Sequence, residues 1–224
     1  LGDVYKRQVQ NVTSQNLAPS SPYSIPHSCF QLFQSTMPKV SWSITPMLTI
    51  TVMQTMPTRP LHSTQTMLEK SLRAQELGAD GLLLITPYYN KATPVGLLAH
   101  YSAVAGAVHI PVIAYNVPSR TGVDIPVEVY GRLSRIPNLA GVKEASSSIS
   151  KIGKLCAACP DFPVWSGNDD QAVAVMSLGG QGVISVLSNV APVETQAMAQ
   201  AALAGDFDTA AALQAEYTLP GVSQ

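Results

Sequence analysis

Five short apolar runs, at residues 82–85, 112–115, 139–143, 164–166 and 182–186, constrain this chain more than any other feature. Each is too short to be a buried helix, and each gives way to a polar stretch. Between them lie segments with helical spacing or helical end signals, which predicts helices at 64–77, from Pro94, and at 126–135, 148–158, 170–178 and 192–204. In the first of these Leu68 and Leu72 share a face, Glu69 and Arg73 stand at i,i+4, and Gly78 supplies the stop. Thr93 caps the second and Pro94 takes its first position. Strands that are apolar on both faces and alternate with helices predict a parallel α/β fold.

The polar motifs follow the strands. Thr86-Pro-Tyr-Tyr-Asn90, Tyr115-Asn-Val-Pro-Ser-Arg-Thr-Gly122, Lys143-Glu-Ala-Ser-Ser-Ser148, Ser166-Gly-Asn-Asp-Asp170 and Ser185-Val-Leu-Ser-Asn189 each occupy a strand's carboxyl end. In a (β/α)8 barrel those ends converge on one rim, so a shared position predicts a shared site. A doubly wound sheet also gathers ligands there, but it usually carries a glycine-rich phosphate turn, and neither GxGxxG nor a Walker sequence occurs. Gly179-Gly-Gln-Gly182 precedes a strand instead of opening a helix and reads as a tight turn.

Lys143 carries the chemistry. A lysine at a strand end inside an apolar shell loses hydration of its ammonium form, which lowers its pKa and leaves a neutral amine able to attack a ketone. Such an amine makes Schiff bases. Tyr115 can pass protons during carbinolamine formation and loss, and Arg120 offers a fork of donors for a carboxylate. The bland alternatives are a lysine that ends a strand to reach solvent, a packing tyrosine and a surface arginine.

Composition narrows the rest. A formal net charge of -1, with no basic run interleaved with aromatics, gives no reason to expect nucleic acid as a partner. No stretch is apolar enough to span a bilayer, and residues 1–8 lack an apolar signal core, so no membrane partner and a cytoplasmic location are expected. The three cysteines argue against a disulfide scaffold. Cys156-Ala-Ala-Cys159 has redox spacing but lies at a helix tail before Pro160, away from the helix start that favours a thiolate, so its expected role is structural. His100 and His109 lack partners at ligand spacing and are expected to be surface or core residues. No metal site is expected.

The chain changes character near residue 63. In residues 1–62 Gly2 is the only glycine and Asp3 the only carboxylate, and Ser, Thr, Pro, Gln and Met recur without period. Residues 40–56 tolerate strand structure in composition, but Pro38, Pro46, Pro57 and Pro60 interrupt the region. We expect two parts: an atypical segment at 1–63, disordered or translated in the wrong reading frame, and a partial barrel at 64–224.

From about Thr64 to Tyr217 the motifs resemble the dihydrodipicolinate synthase family, within the class I Schiff-base aldolases that include N-acetylneuraminate lyase. The resemblance rests on Tyr115-Asn-Val-Pro-Ser-Arg-Thr-Gly122, Gly141-Val-Lys-Glu-Ala145 and Ser166-Gly-Asn-Asp169, in the family's order and with similar spacing. It implies a (β/α)8 TIM barrel, of which strands 4 to 8 are recognisable here. It implies that Lys143 forms an imine with pyruvate, that Tyr115 relays protons, and that Tyr89 enters the relay of a neighbouring subunit. Arg120 would bind the carboxylate of L-aspartate-4-semialdehyde, while Ile184 and Gly167 would line the pyruvate pocket. The implied activity is that of a lyase in lysine and diaminopimelate biosynthesis: pyruvate and aspartate semialdehyde condense to 4-hydroxy-tetrahydrodipicolinate, with no metal or organic cofactor. The implied assembly is a homotetramer, a dimer of dimers.

Arg120 favours the synthases over the sialic acid lyases, whose polyol substrate calls for hydroxyl partners instead of a guanidinium. Other pyruvate-dependent aldolases, a non-catalytic fragment and a ketoacid-binding module are the alternatives. The family's Gly-Thr-Thr-Gly-Glu motif is absent, and the first three strands and the C-terminal helices lack convincing counterparts. Asn168 and Asp169 are expected to cap the following helix, and the edge of the 82–85 strand is expected to be left unpaired, a hazard for aggregation.

Overall fold

A strand that is apolar at every position must have both faces of its sheet covered, and parallel pairing through helical crossovers does this. The computed structural model, which describes residues 50–53, 63–89 and 91–217, realises that arrangement. Six strands pair in parallel in sequence order: β1 Ile50–Met53, β2 Gly81–Ile85, β3 Val112–Asn116, β4 Leu139–Glu144, β5 Val164–Ser166 and β6 Gly182–Val183. The helices are α1 Thr64–Glu76, α2 Pro94–Ala105, the single turn α3 Pro118–Thr121, α4 Val127–Leu133, α5 Ile149–Ala158, α6 Ala172–Ser177, α7 Pro192–Leu203 and α8 Phe207–Tyr217. The strand order never reverses, so no topological switch point forms. Right-handed crossovers in one direction keep the helices on one face and leave the other face as an interior. This is barrel winding, not double winding.

β2 and β3 are buried at all positions, and their apolar side chains form the main core with the inner faces of α1, α2, α4 and α5. Leu82, Leu97, Val112, Leu133, Ile152 and Leu155 are among the residues removed from water, each such side chain contributing about 1.5–3 kcal/mol. A second cluster, around Met176, Met198, Ala199 and Ala202, joins α6, α7 and α8. No helix among the described residues is long and apolar enough to cross a membrane.

Most predicted elements are present, and the differences have local causes. Thr93 Oγ1 accepts from the Gly96 N–H, and Gly78, at φ +86°, ends α1 in the conformation that glycine alone adopts freely. The buried face of α1 is Met67, Ser71 and Ala74, however, with Leu72 at its margin. Arg73 pairs with Glu76 instead of Glu69, which accepts from Gln65. The edge expected to be open on β2 is paired with β1 in register Ile50↔Gly81. The expected strand at 182–186 is a strand only at Gly182–Val183, because the chain turns into a 3-10 segment at Leu187–Asn189. The helix expected at 170–178 divides into a 3-10 turn, Asp169–Gln171, and α6. The reading of residues 1–63 as atypical lies outside the described residues, apart from β1 and Ser63.

His100 lies in the core, 2% exposed, sharing a 3.0 Å hydrogen bond with Thr64 Oγ1 across α1 and α2 and meeting the Tyr101 ring edge-on. Its Nε2 has no partner among the described residues, and burial lowers its pKa from 6.5 to about 4. The folded value lies below the unfolded one, so the unfolded chain takes up the proton first. The associated stability is complete above pH 6.5 and declines as pH falls toward 4. At full extent the loss is about 3 kcal/mol. Urea unfolding measured across that range should show the decline, and His100→Gln should flatten it.

Candidate active site

β3 and β4 pair in register Tyr115↔Lys143, so the two side chains leave the same face of the sheet at neighbouring positions. Both are buried, at 7% and 8% exposure, and Lys143 Nζ lies 4.6 Å from the centroid of the Tyr115 ring. Two influences on the amine oppose each other. The ring face attracts an ammonium, whereas burial strips its water. Burial is the larger, helped by the Arg120 guanidinium and opposed by the Asp169 carboxylate, and it lowers the Lys143 pKa from 10.5 to about 8. Near neutral pH a useful fraction of this amine is unprotonated and nucleophilic.

The strand ladder brings the remaining groups to the same end. Gly167 N–H donates to the Glu144 carbonyl at 2.8 Å, which sets Gly167 beside Lys143. A methyl group on Gly167 would lie 2.6 Å from Ala145 Cβ and 3.1 Å from Lys143 Cε, so the absence of a side chain is what gives the lysine its path. Ile184, half-buried, donates its N–H to the Ser166 carbonyl just beyond β6, level with Gly167. Arg120 is the third residue of the turn α3 and is exposed. The loop Tyr115–Gly122 therefore holds one helical turn, closed by Gly122 in the left-handed conformation.

Lys143, Tyr115, Gly167 and Arg120 are thus gathered around one amine, with Ile184 at the same level. Tyr89 lies in the turn after β2, 84% exposed and at φ +72°. Asn90 lies outside the described residues. Asn168 and Asp169 do not cap a helix through their side chains. Asn168 Nδ2 donates to Ser147 Oγ and Gln171 Oε1, and Asp169 Oδ2 accepts from the N–H groups of Val186 and Leu187, each at 3.0 Å. Asp169 therefore ties the end of β5 to the end of β6, a long-range tie that a local capping pattern does not reveal. Among the described residues no group of histidines, cysteines and carboxylates is arranged to hold a metal. Burial raises the Cys156 and Cys159 thiols above their usual range, which leaves them protonated.

Sequence reasoning missed the opposite face of the same strands. Glu144, adjacent to Lys143, is fully buried and surrounded by Asn116, Tyr130, Ser146 and Lys151. A charge inside a strand of period two, directly after a lysine pointing the other way, was the available signal.

The winding of the sheet defines an α/β barrel protein, with a buried lysine of lowered pKa at its carboxyl rim. More particularly, the chain belongs to the dihydrodipicolinate synthetase family, whose model matches residues 61–219. A relative from Exiguobacterium sibiricum, a 4-hydroxy-tetrahydrodipicolinate synthase, is 52% identical over 163 residues, covering 72% of this chain and 55% of the relative. The synthase of Methanosarcina acetivorans is 47% identical over 151 residues, 66% of this chain and 52% of that one. Among solved structures, the dihydrodipicolinate synthase of Acinetobacter baumannii complexed with pyruvate matches with a TM-score of 0.67 at 42% identity, covering 69% of this chain and 54% of that chain. That of Thermotoga maritima matches with a TM-score of 0.67 at 37% identity, covering 70% and 55%. The fold is that of a TIM barrel in part: the chain spans about half the length of the curated relatives it matches.

Gly167→Ala should push the Lys143 side chain from its path. We expect a stability loss of about 1–3 kcal/mol in urea unfolding, as for other overpacked sites, together with slower modification of Lys143 by amine reagents.

Proposed function

We propose that Lys143 is the imine-forming lysine of a 4-hydroxy-tetrahydrodipicolinate synthase activity, a lyase of lysine and diaminopimelate biosynthesis. The observation that carries the reading is the buried Lys143 amine, 4.6 Å from the Tyr115 ring centroid, with its pKa lowered to about 8.

The neutral amine attacks the ketone carbon of pyruvate. The attacking nitrogen gives up its two protons in turn through Tyr115, the first to the resulting alkoxide and the second to the departing hydroxyl, so that water leaves and the imine forms. Loss of a proton from the pyruvate methyl group gives the enamine, which attacks the aldehyde carbon of aspartate semialdehyde. The amino group of that substrate then displaces Lys143 from the imine carbon, closing the ring and freeing the enzyme. Arg120 stands at the exposed margin, where a guanidinium can take the second substrate's carboxylate in two parallel hydrogen bonds. Gly167 and Ile184 line the pyruvate side of the amine.

No metal or organic cofactor enters this scheme, because covalent attachment to Lys143 itself makes the pyruvate carbons reactive. The reading extends to a cytoplasmic homotetramer in which Tyr89 completes the relay of a neighbouring subunit, and the exposure of its ring supports this. A second reading, imine formation without turnover, is favoured by one observation: the chain contains no Gly-Thr-Thr-Gly-Glu sequence, which in the family serves the relay and the pyruvate carboxylate.

Incubation with pyruvate and sodium borohydride, followed by peptide mass spectrometry, should place a reduced adduct on Lys143 and none on a Lys143→Arg variant. The initial rate of imine formation should climb as pH approaches about 8. Adduct at another lysine, or none, would refute the assignment, and adduct without heterocycle formation would select the second reading. Arg120→Ala should leave trapping in place and raise KM for aspartate semialdehyde about tenfold or more, the worth of a charge-assisted pair.

A further inference from the structure

The strands that present Lys143 and Tyr115 to the interior present their next residues to the helices. Asn116 and Glu144 are register partners, as Tyr115 and Lys143 are, and both are fully buried. Asn116 Nδ2 donates to Glu144 Oε1 at 2.9 Å and Oε2 at 3.1 Å, and to Asp124 Oδ1 at 2.8 Å. Asn116 Oδ1 accepts from the Ile125 N–H at 3.1 Å. The Tyr130 hydroxyl donates to Glu144 Oε2 at 2.5 Å, and the Ser146 N–H donates to Oε1 at 2.8 Å. Lys151 Nζ stands 3.5 Å from Glu144 Oε2, pairs with Asp124, and lies over the Tyr130 ring. Burial, reinforced by the charge of Glu144, pushes the Tyr130 hydroxyl well above its usual range and keeps it a donor.

A buried carboxylate with a full set of partners is a poor device for stability alone, because well-packed apolar residues of the same volume do as well or better. Such a cluster imposes one geometry. Its members come from β3, the loop before α4, α4, β4, the loop after β4 and α5, so they fix the carboxyl ends of two strands and two helices at the level where Lys143 and Tyr115 emerge.

We propose that Glu144 is a positioning residue for Lys143: by clasping Asn116 across the β3–β4 pair it fixes the strand ends, so that the Lys143 amine and the Tyr115 ring face each other away from water. The proposal rests on Lys143 being the imine-forming amine. Without the clasp the strand ends separate, water reaches the amine, and Lys143 becomes an ordinary surface-like lysine.

The test is trace labelling with acetic anhydride from neutral to alkaline pH, reading acetylation of Lys143 by peptide mass spectrometry. The labelling midpoint in the parent chain is expected near 8. In Glu144→Gln, which keeps the shape of the side chain, the midpoint should rise by about one unit as the amine regains water. Tyr130→Phe removes a single donor and should give a smaller rise, which decides the matter if Glu144→Gln does not fold. Asn138→Ala is the control. It removes hydrogen bonds to the carbonyls of Ala105, Val108 and Ile110 at the far end of β4, and should lower Tm without moving the midpoint. An unchanged or lower midpoint in the folded Glu144 or Tyr130 variants, or an equal rise in Asn138→Ala, overturns the proposal. Labelling needs no pyruvate: a parent chain that labels near 8 but forms no borohydride-stable adduct would end the aldolase reading and leave the role of Glu144 to be judged on the midpoint alone.

Discussion

A lysine amine held out of water at the end of a strand sets the tightest constraint in this structure, and the elements around it are arranged to meet that constraint. Lys143 meets it at the carboxyl end of a parallel strand, walled by Tyr115 on one side and given passage by Gly167 on the other. Burial of this kind is costly for a charged group, so it depends on a sheet rigid enough not to open. The sequential parallel ladder, with α1, α2, α4 and α5 packed on one face, provides that rigidity.

The two faces of β3 and β4 divide the work. The interior face carries Lys143 and Tyr115, an amine stripped of water beside an aromatic ring. The helical face carries Asn116 and Glu144, whose polarity is fully met by neighbours. Adjacent residues of one strand thus have opposite electrostatic fates, set only by the alternation of side chains across a pleated backbone.

Much of this was legible in the sequence, for identifiable reasons. Strands at 82–85, 112–115 and 139–143 stood out because a strand buried on both faces is mostly apolar, and Thr93 and Gly78 marked helix ends through chemistry local to the turn. The placement of Lys143, Tyr115 and Arg120 at or just beyond strand ends could be read because they interrupt or follow those apolar runs. What escaped was non-local. β1 is four residues between prolines, and only its pairing with β2 makes it a strand. Asp169 has the spacing of a cap, but its carboxylate is drawn to N–H groups at the end of β6, far along the chain. The Glu144 cluster draws on six segments, and no window of sequence contains it. The Glu69 and Arg73 pair failed for a simpler reason: Glu76 and Gln65 on the same exposed helix offered equally good partners.

The sequential order of the strands has an implication for how the molecule is put together. Among the described residues every strand's partner is the next one along the chain, so none of these pairings has to wait for a distant segment, and each loop to be closed contains a single crossover. The sheet can grow by accretion, each βα unit using the last as its template. Damage to one unit is then felt chiefly by its two neighbours, and the Tyr115 and Lys143 pair on β3 and β4 belongs to the stretch that has a complete neighbour on either side.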